Sequence, residues 1–320
     1  ELGIKLTKGK TIAVNDYLQT RYPNIYAVGD VAGPYQLTHA AAHQAWYAAV
    51  NGLFGKFKKY KRTMQLAINT VGEELRSSAE YCKKEKIGIE LTDIAYPWNL
   101  DGDPKTFIEK HIRSIEGITP RICHGPYFEL NVVSFDKAII NVCRQRHTKA
   151  LDIAKRMGVG TYVTHTNFNP LIRQPSYREM FADRFLDFWL SFADDAAKSN
   201  MVIVFENHWE SHPEIQAEII RKANHPNIKA SFDNGHALIF SSLSAADWIE
   251  TLGADLYHCH LHDNNGELDQ HHAVGTGKED WKNLIKALQN DAPHAVLVAE
   301  SDHLQTNKAS IDKLRRLLDP

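Results

Sequence analysis

Residues 202–236 read VIVFENHWESHPEIQAEIIRKANHPNIKASFDNGH and contain one strand–helix–strand unit. The apolar runs Val202–Glu206 and Ile228–Phe232 predict buried strands, because continuous apolar and β-branched segments are typical of parallel sheets. The segment between them has apolar residues at helical spacing and predicts an amphipathic helix. Glu206 ends the first strand and Asp233 follows the second, so the unit places carboxylates at the carboxyl ends of parallel strands.

The same alternation occurs on both sides of this unit. Short apolar runs followed by amphipathic runs recur between residues 64 and 320. The predicted strands are Gln65–Val71, Ile87–Leu91, Arg121–His124, Thr161–His165, Val202–Glu206, Ile228–Phe232, Leu256–Leu261 and Ala295–Ala299. Eight such units predict an α/β fold of the (β/α)8 TIM-barrel type. A doubly wound sheet is the alternative, but it would have about five or six strands and a glycine-rich first turn.

One predicted helix runs from Ser134 to Met157 and ends at Gly158. Its apolar residues recur at helical spacing and predict a stripe that faces the core. The stripe consists of Phe135, Ile139, Val142, Cys143, Ala150, Ile153 and Met157.

Residues that can bind metals stand at the ends of six predicted strands. They are His124, His165, Glu206, Asp233, His236, His260 and Glu300. Strand ends in a barrel converge on one rim, so we expect these side chains to meet. Each residue alone could be a packing or capping residue, but their repetition at one end of the strands favours a divalent-metal site. Several carboxylates placed together without a cation would be costly.

The loop after the seventh strand adds two candidate ligands, Asp269 and His271. In an extended segment, residues two apart point to the same side, so both could bind one ion. A solvated polar loop is the alternative interpretation.

Residues 1–63 differ from the rest of the 320-residue chain in charge. They contain 9 Lys+Arg and 3 Asp+Glu, or +6, whereas residues 64–320 contain 28 and 36, or −8. Only 2 of the 17 histidines precede residue 64. We therefore predict two domains, 1–63 and 64–320, with a start-like segment at Met64. A fusion, a read-through of adjacent genes or a fragment of a longer chain would each explain the join.

Composition favours a soluble cytoplasmic protein. With 43% hydrophobic residues the chain can form a sizeable core, which excludes a disordered tail. The four cysteines are scattered without a C-x-x-C pair, as expected in a reducing compartment. No apolar run reaches the ~20 residues needed to cross a bilayer, and residues 1–10 do not resemble a signal peptide.

The first 63 residues predict a hairpin over 4–14, a strand at Ile25–Val28 and a helix at Ala40–Leu53. Residues 17–41 resemble the second FAD-contacting segment of pyridine nucleotide-disulfide oxidoreductases of the dihydrolipoamide dehydrogenase and mercuric reductase type. The resemblance implies FAD contacts from Gly29, Asp30, Leu37, Thr38 and Ala40. The phosphate-binding G-x-G-x-x-G motif and a redox cysteine pair are absent from the sequence, so we expect a small α/β remnant that does not hold FAD unaided.

Residues 64–320 resemble the xylose-isomerase-like barrel superfamily, which includes sugar phosphate isomerases and epimerases and the AP endonuclease family 2. The matching segments are 205–207, 232–236, 260–264 and 299–300. The epimerase branch implies one divalent ion, Mn or Zn with Mg or Co as alternatives, bound by Glu206, Asp233, His260 and Glu300. Glu206 and Glu300 would exchange the proton of a sugar through a metal-stabilised ene-diolate, and His236 would contact a substrate oxygen.

The endonuclease branch implies a larger metal cluster. It would add His124, His165, His236, Asp269 and His271 as zinc ligands for cleavage of abasic DNA. The charge of −8 and the lack of arginine-rich, wedge-bearing loops argue against DNA. Thr276 also stands where much of the superfamily has Glu.

We therefore predict a metal-dependent sugar, sugar phosphate or polyol isomerase, epimerase or dehydratase-like enzyme. A zinc AP endonuclease and a divergent or inactive relative are the alternatives, and an FAD-dependent oxidoreductase is a lesser one. A small carbohydrate is the expected partner, nucleic acid is not expected, and an oligomer is compatible with the sequence. Tyr96, Trp98 and Trp209 are candidates for stacking on the sugar, although packing at the barrel mouth would also explain them.

Overall fold

The computed structural model describes residues 3–7, 10–32, 38–56 and 64–319. Its internal contacts divide the chain into two compact units. The smaller unit comprises Glu1–Met64 with Ala292–His294, and the larger comprises Gln65–Asp291 with Ala295–Pro320. That residues 1–63 derive from a different protein remains a prediction.

The larger unit is a closed parallel barrel in which the eight strands pair in chain order, β1 to β8, and β8 pairs with β1. The strands are β1 Gln65–Thr70, β2 Gly88–Leu91, β3 Arg121–His124, β4 Thr161–His165, β5 Val202–Glu206, β6 Ile228–Asp233, β7 Leu256–Leu261 and β8 Val296–Ala299. The predicted TIM barrel is therefore confirmed. The predicted and observed strand bounds agree to within one residue at each end.

Helices connect these strands on the outside of the barrel, as right-handed crossovers between parallel strands require. They are α2 Leu75–Glu85, α3 Pro97–Asp101, α4 Pro104–Ile115, α5 Lys137–Arg156, α6 Pro175–Ala197, α7 Glu214–Ala223, α8 Asn234–Phe240, α9 Ala245–Leu252, α10 Trp281–Asp291 and α11 Leu304–Leu318, with α1 Thr38–Phe54 in the smaller unit. Among the described residues, none of the helices has the length and apolar character needed to span a bilayer.

The inside of the barrel explains why the strands end in polar residues. A buried layer of Ala67, Ile122, Val163, Val204, Val296 and Val298 fills the interior. Alternate residues of a strand point to the same face, so the residue two positions beyond each core residue also points inward. Those residues include His124, His165, Glu206 and Glu300. One apolar layer thus supports a polar layer at the carboxyl ends of the strands.

Helix α5 corrects part of the predicted stripe. It begins at Lys137, because the Asp136 side chain accepts a hydrogen bond from Ala138 N and caps the helix. Phe135 therefore precedes the helix and is exposed, with the Arg184 guanidinium 4.3 Å from its ring centre. Ile139 is also exposed. Val142 is exposed as well, whereas Cys143, Ala150, Ile153 and Met157 are buried as predicted.

The smaller unit has less strand structure than predicted. The 4–14 hairpin retains one antiparallel bridge, between Leu6 and Ile12. The strand predicted at Ile25–Val28 is wrong. Tyr26 forms a single bridge with Gln19, since the chain reverses between them and no other described segment extends the pairing.

The residues with implied FAD contacts lie in two short segments. Gly29 and Asp30 begin a 3-10 turn, Gly29–Val31, in which Gly29 N donates to Gln44 Oε1 at 2.7 Å. Gly29 has a φ of +67°, which favours glycine. Thr38 and Ala40 lie in the first turn of α1, and Leu37 is outside the described residues.

His147 of α5 gives the fold a specific pH dependence. Its Nδ1 forms a 2.9 Å hydrogen bond with the Tyr162 hydroxyl, and its ring packs edge-on against Trp189. Burial lowers the pKa of His147 to about 3. Below the ordinary histidine pKa of about 6.5, the unfolded chain therefore binds a proton that the folded chain does not.

We expect the free energy of unfolding to fall as the pH drops from about 6.5 towards 3, by up to ~1.4 kcal/mol per pH unit from this residue. His147→Phe should show a shallower fall over the same range. It should also be less stable by ~1–3 kcal/mol at pH 8, because the Tyr162 hydroxyl loses its partner. Urea unfolding at pH 8, 6 and 5 measures both effects. Equal pH slopes for the two proteins would contradict the assignment.

Candidate metal centre

His260 lies at the centre of the polar layer. Its Nδ1 is 3.1 Å from Glu206 Oε1 and 3.4 Å from Glu300 Oε2. Asp233 Oδ2 is 3.9 Å away. Ligand atoms around a tetrahedral ion with ~2.1 Å bonds are ~3.4 Å apart, so these separations suit one bound ion. The four ligands predicted for an epimerase-type site are therefore brought together.

Glu206 also belongs to a second group of candidate ligands, which includes His124 and His165. Its Oε2 lies 3.4 Å from His124 Nε2, and its Oε1 lies 3.7 Å from His165 Nε2. His124, His165 and Glu206 end β3, β4 and β5, which are neighbours in the barrel. One carboxylate thus faces two sets of imidazoles.

A third group lies nearer the solvent. Asp269 Oδ2 is 3.3 Å from His236 Nε2 and 3.1 Å from His271 Nε2. The His271 ring stacks on His262 at 4.0 Å, and His262 Nε2 is 3.3 Å from Asp233 Oδ2. All nine residues predicted as definite or additional ligands therefore belong to one cluster. Their role as ligands remains a prediction.

Sequence reasoning missed three buried polar residues of this region: Glu90, His262 and Glu210. His262 stands two residues after His260, so the alternation of β7 could have revealed it. Glu90 is a fully buried acid within the apolar strand β2, and such a residue is rare unless paired. Glu210 accepts hydrogen bonds from the Thr166 hydroxyl and His208 N. The sequence around Glu210 gives no distinctive signal.

Three histidines of the cluster use one ring nitrogen for a hydrogen bond outside the cluster and direct the other ring nitrogen towards a carboxylate of the cluster. His124 Nδ1 donates to Gly125 O and His236 Nδ1 donates to Asn207 O, each at 2.9 Å. His260 Nε2 donates to Glu90 Oε1, also at 2.9 Å. In each ring the other nitrogen faces a carboxylate of the cluster. A second hydrogen bond of this kind fixes the orientation of metal-binding histidines.

Several buried atoms of the cluster have no hydrogen-bond partner within the described part of the chain. They include Glu206 Oε2, His165 Nδ1, His260 Nδ1 and His262 Nδ1. A buried polar atom without a partner costs ~1–3 kcal/mol. A divalent cation held by the carboxylates around His260 Nδ1 would satisfy that atom, so the residues present fit a metal of the zinc or manganese class.

The electrostatics of the cluster also favour a positive charge at His260. Burial opposes the ionisation of Glu206, but His260 and His165 lower its pKa well below the usual range. Burial also opposes a charged His260, yet Glu206, Glu300 and Glu90 raise its pKa well above the usual range. Burial raises the pKa of Glu300. Burial lowers the pKa of His165 far enough to keep it neutral, the form that binds metals.

Asp263 organises the loop that carries Asp269 and His271. Its carboxylate accepts hydrogen bonds from Gly275 N at 3.0 Å and from Trp281 Nε1 at 2.7 Å. A Cβ at Gly277 would lie 2.3 Å from this carboxylate, so only glycine fits there.

Thr276, in the same loop, is exposed, and its hydroxyl donates to Ala273 O. Beside the loop is a cavity of about 360 Å³ whose lining includes Gln270, His271, His272, Thr276, Ser301 and Asp302.

The predicted sugar-stacking residues lie around the same mouth. Tyr96 stacks on Trp98 at 4.8 Å, and Trp98 is 66% exposed. Trp209 stacks on His208 at 4.2 Å, and His208 packs against His165. These rings are therefore placed where a substrate could meet them, and their role remains a prediction.

Comparison with known proteins identifies the barrel. The family model described as xylose isomerase-like TIM barrel matches residues 88–319. An uncharacterized protein from Methanocaldococcus jannaschii is 24% identical over 207 residues, covering 62% of this chain and 70% of its own length. A solved D-tagatose 3-epimerase-like protein is 21% identical and superimposes with a TM-score of 0.65 over 80% of this chain and 97% of its own.

The first residues have different relatives. The pyridine nucleotide-disulphide oxidoreductase family model matches residues 1–45. Dihydrolipoyl dehydrogenase from Mycobacterium leprae is 45% identical over 49 residues, which is 15% of this chain and 10% of that enzyme. The predicted resemblance of this segment is confirmed, and it spans about a tenth of the enzyme that it resembles.

We expect the chain, purified without a metal-affinity tag, to contain at least one divalent ion, and Glu206→Gln to lose it. Glu206 contributes oxygens to two ligand groups, so its loss should lower metal affinity at least ~10-fold. Elemental analysis and equilibrium dialysis measure content and affinity. Glu267→Gln, exposed in the loop that carries Asp269 and His271, is the matched control. Full metal content in Glu206→Gln would argue against the centre.

Proposed function

The chain belongs to the xylose isomerase-like TIM barrel family, and from this we propose that it is a divalent-metal-dependent isomerase or epimerase of a sugar or polyol. The observation that carries the proposal is the buried Nδ1 of His260, which has three carboxylates within 3.9 Å and no hydrogen-bond partner among the described residues. The fold shared with a D-tagatose 3-epimerase-like protein is consistent with this reaction class.

Glu206, Asp233, His260 and Glu300 would hold the ion, which when bound would polarise a carbonyl and its neighbouring hydroxyl as a Lewis acid. Glu206 and Glu300 are the groups that can carry the proton. They stand at β5 and after β8, and each has a carboxylate oxygen within 3.4 Å of His260 Nδ1. One carboxylate would remove the proton from carbon, and the other would return one. Epimerisation needs two such groups.

Other residues would hold the sugar. His236 Nε2 lies at the solvent side of the cluster, where it could donate to a substrate oxygen once it leaves Asp269. Trp98 and Trp209 are partly exposed at the mouth and offer ring faces for the apolar face of a sugar. The polar cavity beside His271 would take the far hydroxyl groups of the substrate.

Proton exchange into ketoses tests the proposal. We expect the chain loaded with Mn²⁺ or Co²⁺ to incorporate deuterium from D2O at the carbon beside the carbonyl of D-fructose, D-tagatose or another ketose or inosose of a panel. Glu206→Gln and Glu300→Gln should each slow exchange ~10²–10⁴-fold, as loss of a general acid or base does. NMR and mass spectrometry follow the label.

Glu267→Gln should exchange at the wild-type rate, since it is exposed and outside the cluster. The proposal fails if the metal-loaded wild-type chain exchanges no substrate of the panel.

A second candidate function is metal-dependent cleavage of DNA at an abasic site. One observation favours it: Glu206 lies between two imidazole groups, and Asp269 bridges His236 and His271, so the cluster offers ligands for more than one ion. Ions ~3.5–4 Å apart stabilise the attacking and leaving oxygens of a phosphodiester. The −8 charge of residues 64–320 opposes binding to DNA.

His124→Asn and Asp269→Asn separate the two functions. Neither residue belongs to the four-residue epimerase-type set, so ketose exchange should persist in both variants at a reduced rate. Nicking of an abasic duplex by the zinc-loaded chain, lost in both variants, would instead favour the endonuclease.

A further inference from the structure

Glu90 is one of the fully buried acids near the candidate metal centre. It lies in β2 and is 0% exposed. Its Oε1 accepts a 2.9 Å hydrogen bond from His260 Nε2, and its Oε2 accepts a 2.9 Å hydrogen bond from His258 Nε2. Both oxygens are therefore used by imidazoles of β7, and Glu90 contacts the ring nitrogen of His260 that does not face Glu206, Asp233 and Glu300.

The contacts continue beyond Glu90. His258 Nδ1 forms a 2.8 Å hydrogen bond with Ser231 Oγ of β6. His258 and His260 stand two residues apart in β7, so their side chains lie on the same face of the strand and both point into the barrel. A buried line of side chains thus runs from Ser231 through His258 and Glu90 to His260.

Glu90, His258 and His260 could themselves be taken for a metal site. Their geometry argues otherwise. The nitrogen–oxygen separations of 2.9 Å are those of charge-assisted hydrogen bonds, whereas ligands on one tetrahedral ion are ~3.4 Å apart. Every polar atom of Glu90 and His258 already has a partner in this arrangement.

The hydrogen bond to Glu90 determines which ring nitrogen of His260 is available to bind a metal ion. An ionised carboxylate only accepts hydrogen bonds, so the proton of the neutral ring must lie on Nε2. When the ring is neutral, as metal binding requires, Nδ1 carries the lone pair, and it is this atom that faces Glu206, Asp233 and Glu300 without a hydrogen-bond partner among the described residues.

We propose that Glu90 is a positioning residue that holds His260 in the orientation and tautomer required for metal binding through Nδ1. The proposal rests on the metal-dependent function proposed above. Glu90 touches neither the ion nor the substrate, and it acts only through His260. Its partner His258 and the Ser231 hydroxyl hold the carboxylate in place from the other side.

Metal affinity of the full chain tests this role without any substrate. We expect Glu90→Gln to bind Mn²⁺, measured by electron paramagnetic resonance, and Zn²⁺, measured by competition with a chromophoric chelator, 10–100-fold more weakly than wild type. Binding stoichiometry should not change, because no ligand is removed. Glu90→Asp keeps the charge and should recover part of the affinity.

Glu210→Gln is the matched control. Glu210 is also a buried acid, but its partners are Thr166 and a backbone N–H and not an imidazole of the His260 set. We expect its metal affinity to stay near that of wild type. Equal thermal midpoints of the metal-free proteins would show that lost affinity does not reflect lost folding.

The outcomes separate this inference from the proposed function. A wild-type chain that binds no divalent metal overturns both. Wild-type binding with unchanged affinity in Glu90→Gln overturns only the role of Glu90.

If Glu90→Gln does not fold, nitrogen-15 histidine NMR of the wild-type chain decides. In the Zn²⁺-loaded chain His260, assigned with His260→Gln, must carry its proton on Nε2, and its Nδ1 resonance must differ from that of the metal-free chain.

Discussion

Neutralising buried negative charge is the constraint on which the carboxyl end of this barrel depends. Glu206, Asp233, Asp269 and Glu300 are placed together by strands and by one loop, and six imidazoles surround them. At an effective dielectric constant of about 20, unit charges of like sign 4 Å apart repel by about 4 kcal/mol. Such a set of acids persists in a folded protein only when cations face it. The histidines provide part of that charge, and a divalent ion would provide the rest.

The barrel meets this constraint through the pleat of its strands. Ile122, Val163, Val204 and Val298 pack inside the barrel, and the residues two positions further on are His124, His165, Glu206 and Glu300. The apolar layer excludes water from below, so hydrogen bonds and ion pairs above it act in a medium of low dielectric constant. Glu90 extends the polar layer inward and is tolerated there because both of its oxygens are paired. In each of these strands, the apolar residue stabilises the barrel interior, and the polar residue two positions later contributes to the candidate metal site.

Much of this could be predicted from the sequence, because strand ends and the period of two are local properties. The eight strands and the convergence of His124, His165, Glu206 and His260 follow from them. Contacts between distant segments could not be predicted in this way. Glu90 is paired with residues of β7, and its partners become visible only when the barrel closes. Phe135 looks like a core residue by spacing, yet the cap at Asp136 places it outside the helix, beside Arg184. Ile25–Val28 has strand-forming residues, but among the described residues no neighbouring strand pairs with it along its length.

The residues predicted as ligands are divided between two kinds of structure. Glu206, Asp233 and His260 belong to strands, and Glu300 directly follows one, whereas Asp269 and His271 belong to a loop that Asp263 holds in place. Loops change in length and sequence more freely than barrel strands do. A barrel of this design can therefore gain or lose residues such as Asp269 and His271 in evolution while the four around His260 Nδ1 persist. The outermost group of candidate ligands is thus a property of one exchangeable segment, whereas the groups around His124 and His260 belong to the barrel itself.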